Sequence, residues 1–221
     1  GAASGASSSA IKYLGEDGPG TKTLNSETWN GTNWTEVNNT NTGRSSVSGA
    51  GDSSTSAVAM AGYLPSGSQD LTELYNGTNW TEVNDCNTAR WGGGSVGIAT
   101  AGLLVGGYTS TAVNKVESFN GTNWTEINGL NTARYEGAGT GTTSAGMYWS
   151  GNSGSVDNKT ELFNGTNWTE TTDLPASFVQ AGGGGTQTAG LSYAGWPSSN
   201  ILKTYEWSGA GAAQTRTFTD S

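Results

Sequence analysis

The 221-residue chain has no histidine, one cysteine and few charges, with only 12% of its residues ionisable as Asp, Glu, Lys or Arg. Without histidine, neither a histidine-based catalytic triad nor a histidine-containing zinc site can be assembled. Cys86 cannot form an internal disulfide, has no basic residue adjacent in sequence to activate it, and says nothing about compartment. No apolar run approaches the roughly 18 residues of a membrane span, and no basic amphipathic stretch is present to lie on a membrane surface. Residues 1–10 carry no basic segment of the kind that opens a secretion signal. Nine Lys and Arg stand against 18 Asp and Glu, a formal net charge of −9 that would repel a phosphate backbone. No glycine loop leads into Lys-Ser or Lys-Thr to cradle a nucleotide phosphate. The expectation is therefore no nucleic-acid partner, no membrane insertion, no cofactor and no metal.

What the chain has is glycine, 36 residues of it, with nine Trp, eight Tyr and four Phe. Abundant Gly, Ser, Thr and Asn with little charge would ordinarily indicate disorder, because too little apolar surface is available to offset ordering entropy. The aromatic residues are periodic, however. The stretch Asn120-Gly121-Thr122-Asn123-Trp124-Thr125-Glu126 recurs beginning at Asn30, Asn76 and Asn164, with spacings of 46, 44 and 44 residues. A degraded fifth copy, Ser208-Gly209-Ala210-Gly211-Ala212, follows Trp207. Five units of about 44 residues, bounded near 1–41, 42–87, 88–131, 132–175 and 176–221, read as a blade-type β repeat forming a single domain.

Each unit contains four segments of strand length. In the third they are Ser95 to Thr100, Ala101 to Gly107, Val113 to Phe119 and Asn123 to Asn128, separated by Gly, Asn, Thr or Ser. The Asn-Gly step between the third and fourth predicts a two-residue type I′ hairpin, so the unit reads as an antiparallel meander. Such a meander has two apolar faces and must stack on others. Radial stacking explains why the first segments, such as Ser46 to Ala50 and Ala181 to Gly185, are nearly without large side chains, since innermost strands crowd together. The predicted fold is all-β, a five-bladed propeller with four antiparallel strands per blade.

The order Arg90, small-residue strand, Leu103-Leu104-Val105-Gly106-Gly107, Val116-Glu117-Ser118-Phe119, then Asn123-Trp124-Thr125-Glu126 resembles the kelch repeat over the whole chain. Within kelch-like arrays the resemblance is nearest to those of marine bacteriophage virion proteins, in which segments like Leu130-Asn131-Thr132-Ala133-Arg134-Tyr135 and Gly185-Thr186-Gln187-Thr188-Ala189-Gly190-Leu191 recur. That resemblance implies a virion or extracellular location, with other virion proteins or a host-surface glycan or receptor as partners. Departures lie at the ends: the first unit lacks an arginine, and the last has Phe178 where Arg44, Arg90 and Arg134 stand. Every blade is expected to be built from consecutive residues, so ring closure would rely on packing between the first and last blades.

Candidate residues fall into repeated and unrepeated sets. Glu27, Glu73, Glu117 and Glu161, and Glu36, Glu82, Glu126 and Glu170, recur once per unit, which points to structure rather than to a glycosidase acid pair. Trp34, Trp80, Trp124 and Trp168 could stack on sugars, but strict repetition beside a hairpin favours a wedge between blades. The arginines are expected to be buried inter-blade partners of a repeated glutamate. The Asn-Gly-Thr and Asn-Trp-Thr triplets match glycosylation sequons, for which turn formation is a sufficient explanation. By contrast, the connections between second and third strands vary: Glu16 to Gly20, Tyr63 to Asp70, Tyr108 to Thr111, Asn152 to Asp157 and Trp196 to Asn200. Tyr63, Tyr108 and Trp196, each following a strand-ending glycine, are the candidate ligand-binding residues, and no residue is a catalytic candidate. The expected function is a non-enzymatic binding or structural module, with a multivalent lectin as the alternative and a carbohydrate-active enzyme as a third reading.

Overall fold

The computed structural model describes residues 1–18, 20–196, 204–209 and 214–216. Its strands form five separate four-stranded antiparallel sheets, each made of consecutive strands. The first blade comprises β1 (Ala2–Ala6), β2 (Ser9–Tyr13), β3 (Ser26–Trp29) and β4 (Trp34–Val37). The second has β5 (Ser48–Ser53), β6 (Ser56–Leu64), β7 (Gly67–Tyr75) and β8 (Trp80–Glu82), and the third β9 (Gly94–Ile98), β10 (Ala101–Val105), β11 (Val116–Phe119) and β12 (Trp124–Ile127). The fourth has β13 (Ala138–Thr142), β14 (Ala145–Asn152), β15 (Val156–Phe163) and β16 (Trp168–Glu170), and the fifth β17 (Gly182–Thr186), β18 (Ala189–Tyr193), β19 (Thr204–Trp207) and β20 (Gln214–Arg216). The protein is an all-β, five-bladed propeller, and β1, β5, β9, β13 and β17 line a central channel of about 520 Å³. Of the predicted segments, Pro19, residues 197–200 of the last variable connection, Ala210 to Ala212 and residues 217–220 of the last strand lie outside the described residues.

Glycine in the innermost strands is explained by specific neighbours. The Tyr13 hydroxyl donates to Val58 O at 2.9 Å, which lays the ring across Gly49, where a Cβ would overlap it. Trp149 lies against Gly183 in the same way, and Tyr148 against Gly94 and Gly137. Large rings on second strands thus occupy the volume that side chains on adjoining first strands would need.

The glycine within two residues of the end of each second strand has a different cause. Gly15, Gly62, Gly107, Gly151 and Gly195 all have φ between 116° and 126°, a region closed to residues with a Cβ. That conformation aims the amide at the next blade: Gly62 donates to Arg90 O at 2.9 Å, Gly107 to Arg134 O at 3.0 Å and Gly151 to Phe178 O at 3.1 Å. The residue before it is left-handed too, but Leu14, Ala61, Ser150 and Ala194 serve there beside Gly106, so only the second glycine of the pair is required.

Three expectations need correction. The Asn-Gly hairpin is a four-residue connection rather than a two-residue type I′ turn. Only the glycine has positive φ, at 92° in Gly31, while Asn30 Oδ1 accepts the amides of Thr32 and Asn33, both at 2.9 Å. Asparagine's side chain does locally what a second left-handed residue would have done. The arginines pair within a blade and not between blades, because each reaches from the segment before the first strand to the third strand of the same sheet: Arg44 to Glu73 at 2.5 Å, Arg134 to Glu161 at 2.6 Å, and Arg90 to Glu117. The wedge role holds for Trp80, Trp124 and Trp168, which are 5%, 8% and 5% exposed, but Trp34 is 49% exposed.

That exception follows from the direction of packing. Each wedge indole sits on the preceding blade: Trp80 Nε1 donates to Ser26 Oγ at 3.0 Å and Trp124 Nε1 to Thr72 Oγ1 at 3.2 Å. Trp34 belongs to the first blade, and its ring contact is with Trp29 of the same blade, centroids 5.6 Å apart. The seams between blades one to five are fastened elsewhere as well, by Ser48 Oγ to Gly93 O at 2.8 Å, Thr140 Oγ1 to Gly185 O at 2.7 Å and, on the rim, Asn38 to Asn79, Asn84 to Asn123 and Asn128 to Asn167.

Candidate functional site

The face opposite the Asn-Gly hairpins is built from two contributions per blade: the end of the second strand and the residue after the arginine position. These pair as short antiparallel bridges, Ser45 with Tyr63, Trp91 with Tyr108, Tyr135 with Asn152 and Val179 with Trp196. Trp91 and Tyr108 exchange both backbone hydrogen bonds, at 3.1 and 2.8 Å, so their side chains emerge together.

The connections themselves are more ordered than the predicted loops. In the second blade β6 and β7 stay paired to Leu64 and Gly67, leaving only Pro65 and Ser66 as the turn, and Tyr63 is a strand residue opposite Ser68. Pro65 presets the backbone for a turn, and the flanking residues simply continue the ladder. In the fourth blade the same ladder reaches Asn152 and Val156. The third blade makes a compact loop in which Thr109 donates to Thr111 O at 3.1 Å and Tyr108 bridges to Ala112.

The outcome is a continuous aromatic cluster across three blades. Ring centroids of Tyr63 and Trp91 are 6.1 Å apart, Trp91 and Tyr108 5.0 Å, Trp91 and Tyr135 5.4 Å, and Tyr108 and Tyr135 4.9 Å. The Lys22 ammonium, 6.0 Å from the Tyr63 ring centre, extends it to the first blade. Of the three predicted residues, Tyr63 and Tyr108 join this cluster through Trp91. Trp196 stands apart, 58% exposed and bridged to Val179, with no ring contact among the described residues. Sequence reasoning missed Trp91 and Tyr135. Their signal was present, since each directly follows Arg90 or Arg134, but nothing in the repeat shows that this position lies beside the second-strand end.

Burial, then the neighbouring Glu136 and Tyr108, push the Tyr135 phenol above its usual range, so it remains a neutral hydrogen-bond donor. The buried repeated acids are already engaged. Glu73, Glu117 and Glu161 are each held by an arginine and by the backbone and side-chain amides of Asn41, Asn87 or Asn131. Cys86 is buried, donates to Thr88 O at 3.3 Å and has its thiol pushed up to about 12 by burial, so it remains protonated and inert. What the face offers is ring surface, phenols, hydroxyls and amides. Neither a protein-family model nor a curated protein matches this chain.

Proposed function

We propose that this propeller is a non-enzymatic recognition module of a bacteriophage particle, at a tail or surface position, and that it holds a host-surface glycan or receptor with the face bearing Tyr63, Trp91, Tyr108 and Tyr135. The phage assignment draws on the kelch-like arrays that the repeats resemble. The observation that carries the binding reading is the four-ring cluster. These rings lie outside the inter-blade cores, yet they are gathered at one place amid Ser, Thr and Asn, which combines contact area with adaptable hydrogen bonding.

The cluster also weighs against one sugar per blade. Equivalent positions hold Glu16, Tyr63, Tyr108, Asn152 and Trp196 in one series and Ser45, Trp91, Tyr135 and Val179 in the other, so the rings form one composite surface and not five equal pockets. Adhesion of the purified protein to bacterial cells tests the proposal. A Tyr63→Ser, Trp91→Ser, Tyr108→Ser variant that melts like the parent should lose adhesion, and retained adhesion by that variant would refute the choice of face.

A further inference from the structure

We propose that the cleft between the third and fourth blades, beside Tyr108 and Tyr135, is a subsite for one uncharged sugar residue. The proposal rests on the reading of this face as the binding face and narrows it to a ligand class. The cleft has a volume of about 470 Å³, within the span of small-ligand sites, and is lined on one side by Tyr108, Ser110 and Thr111 and on the other by Tyr135, Asn152 and Ser153. Its two rings meet at 64°, which leaves aromatic surface of both turned toward the cleft for the C–H face of a pyranose.

Its polar groups are available. Among the described residues the hydroxyls of Ser110, Thr111 and Ser153 make no hydrogen bond within the protein. Asn152 uses Oδ1 to accept the Gly154 amide at 2.9 Å, which leaves its Nδ2 to donate elsewhere. The lining holds no Asp, Glu, Lys or Arg. Glu136, next to Tyr135 in the chain, accepts from Gln180 Nε2 at 2.8 Å, and the net charge of −9 disfavours anionic ligands such as sialic or uronic acids. A neutral hexose or N-acetylhexosamine matches this lining on every count: apolar faces for the rings, hydroxyls for the hydroxyls and amide, and no charge to neutralise.

Saturation-transfer NMR and calorimetry with glucose, galactose, mannose and N-acetylglucosamine, against N-acetylneuraminic and glucuronic acids, provide the test. The difference in tryptophan emission between the parent and a Trp91→Phe variant reports locally, since the Trp91 ring lies against both tyrosines. At least one neutral sugar should bind with a millimolar dissociation constant, and Tyr135→Ala and Asn152→Ala should each weaken it roughly tenfold with the melting temperature unchanged. Silence of every neutral sugar at high concentration, equal affinity in both variants, or preference for the anionic sugars would overturn the proposal. If sugars are silent while the Tyr63, Trp91, Tyr108 variant still loses adhesion, the subsite falls and the binding face stands. If a neutral sugar binds through Tyr135 while adhesion is untouched by that variant, the subsite stands and the adhesive role falls.

Discussion

Phe178 and Tyr205 lie face to face, ring centroids 5.8 Å apart and planes 4° from parallel, at the positions where the three preceding blades bury an arginine and a glutamate. The exchange is coordinated with a third position. In those blades Asn41, Asn87 and Asn131 donate a backbone amide to the glutamate, and the fifth blade has Pro175 there, which has no amide to satisfy. A buried ion pair and its donors have been replaced as a set by an apolar stack.

Coupled replacement predicts coupled energetics. Arg134→Phe alone strands the Glu161 carboxylate in the core and should cost about 3 to 5 kcal/mol. Combined with Glu161→Tyr and Asn131→Pro it should recover most of that loss, as in the fifth blade. Chemical denaturation of the single and triple variants measures both, and a triple variant no more stable than the single one would show that the stack depends on its own blade's surroundings.

The wedge tryptophans should be unequal. Trp124→Ala removes a buried ring and should cost about 3 to 5 kcal/mol. Trp34→Ala removes one that is 49% exposed and touches Trp29 at 5.6 Å, so the loss should be about 1 kcal/mol. Equal drops in melting temperature would mean that Trp34 is covered in solution.

One buried indole lacks the acceptor that its counterparts have. Ser26 and Thr72 accept from Trp80 and Trp124, but Val116 occupies the equivalent position before Trp168, and Trp168 Nε1 is unpartnered. Val116→Thr keeps the shape and supplies the oxygen, so it should raise stability by about 1 kcal/mol. A destabilised variant would show the hydroxyl to be the worse orphan.

Alkaline unfolding should begin early. Burial pushes Tyr148 and Cys86 up to about 12 from ordinary values of 10.0 and 9.0. Both groups are neutral when protonated, so the native state retains protons that the unfolded chain releases first, and the slope of stability against pH turns negative. Their contribution is full below pH 9 and is lost as pH rises toward 12. Cys86→Ala should soften the onset of that decline, which thermal melts from pH 7 to 11 would record.

The sequence by itself determined the architecture, because a 44-residue period with glycine, aromatic and asparagine at fixed offsets constrains each unit to one meander and the chain to a stack of them. Its strict repetition also pointed to a structural place for Glu73, Glu117, Glu161 and the three arginines, which are buried as ion pairs. Only the tertiary structure decided their pairing within a blade, since a repeat reports which positions matter and not which copy each one touches. The same limit hid the proposed binding face. Tyr63 and Tyr108 were legible as unrepeated aromatics after a glycine, but Trp91 reaches Tyr108 through a bridge between segments 17 residues apart, and Tyr135 meets both by ring contacts from the next blade. Local spacing carries the fold here because the forces that shape a blade act over neighbouring strands. The site depends on how three blades meet, and that is a property of the ring.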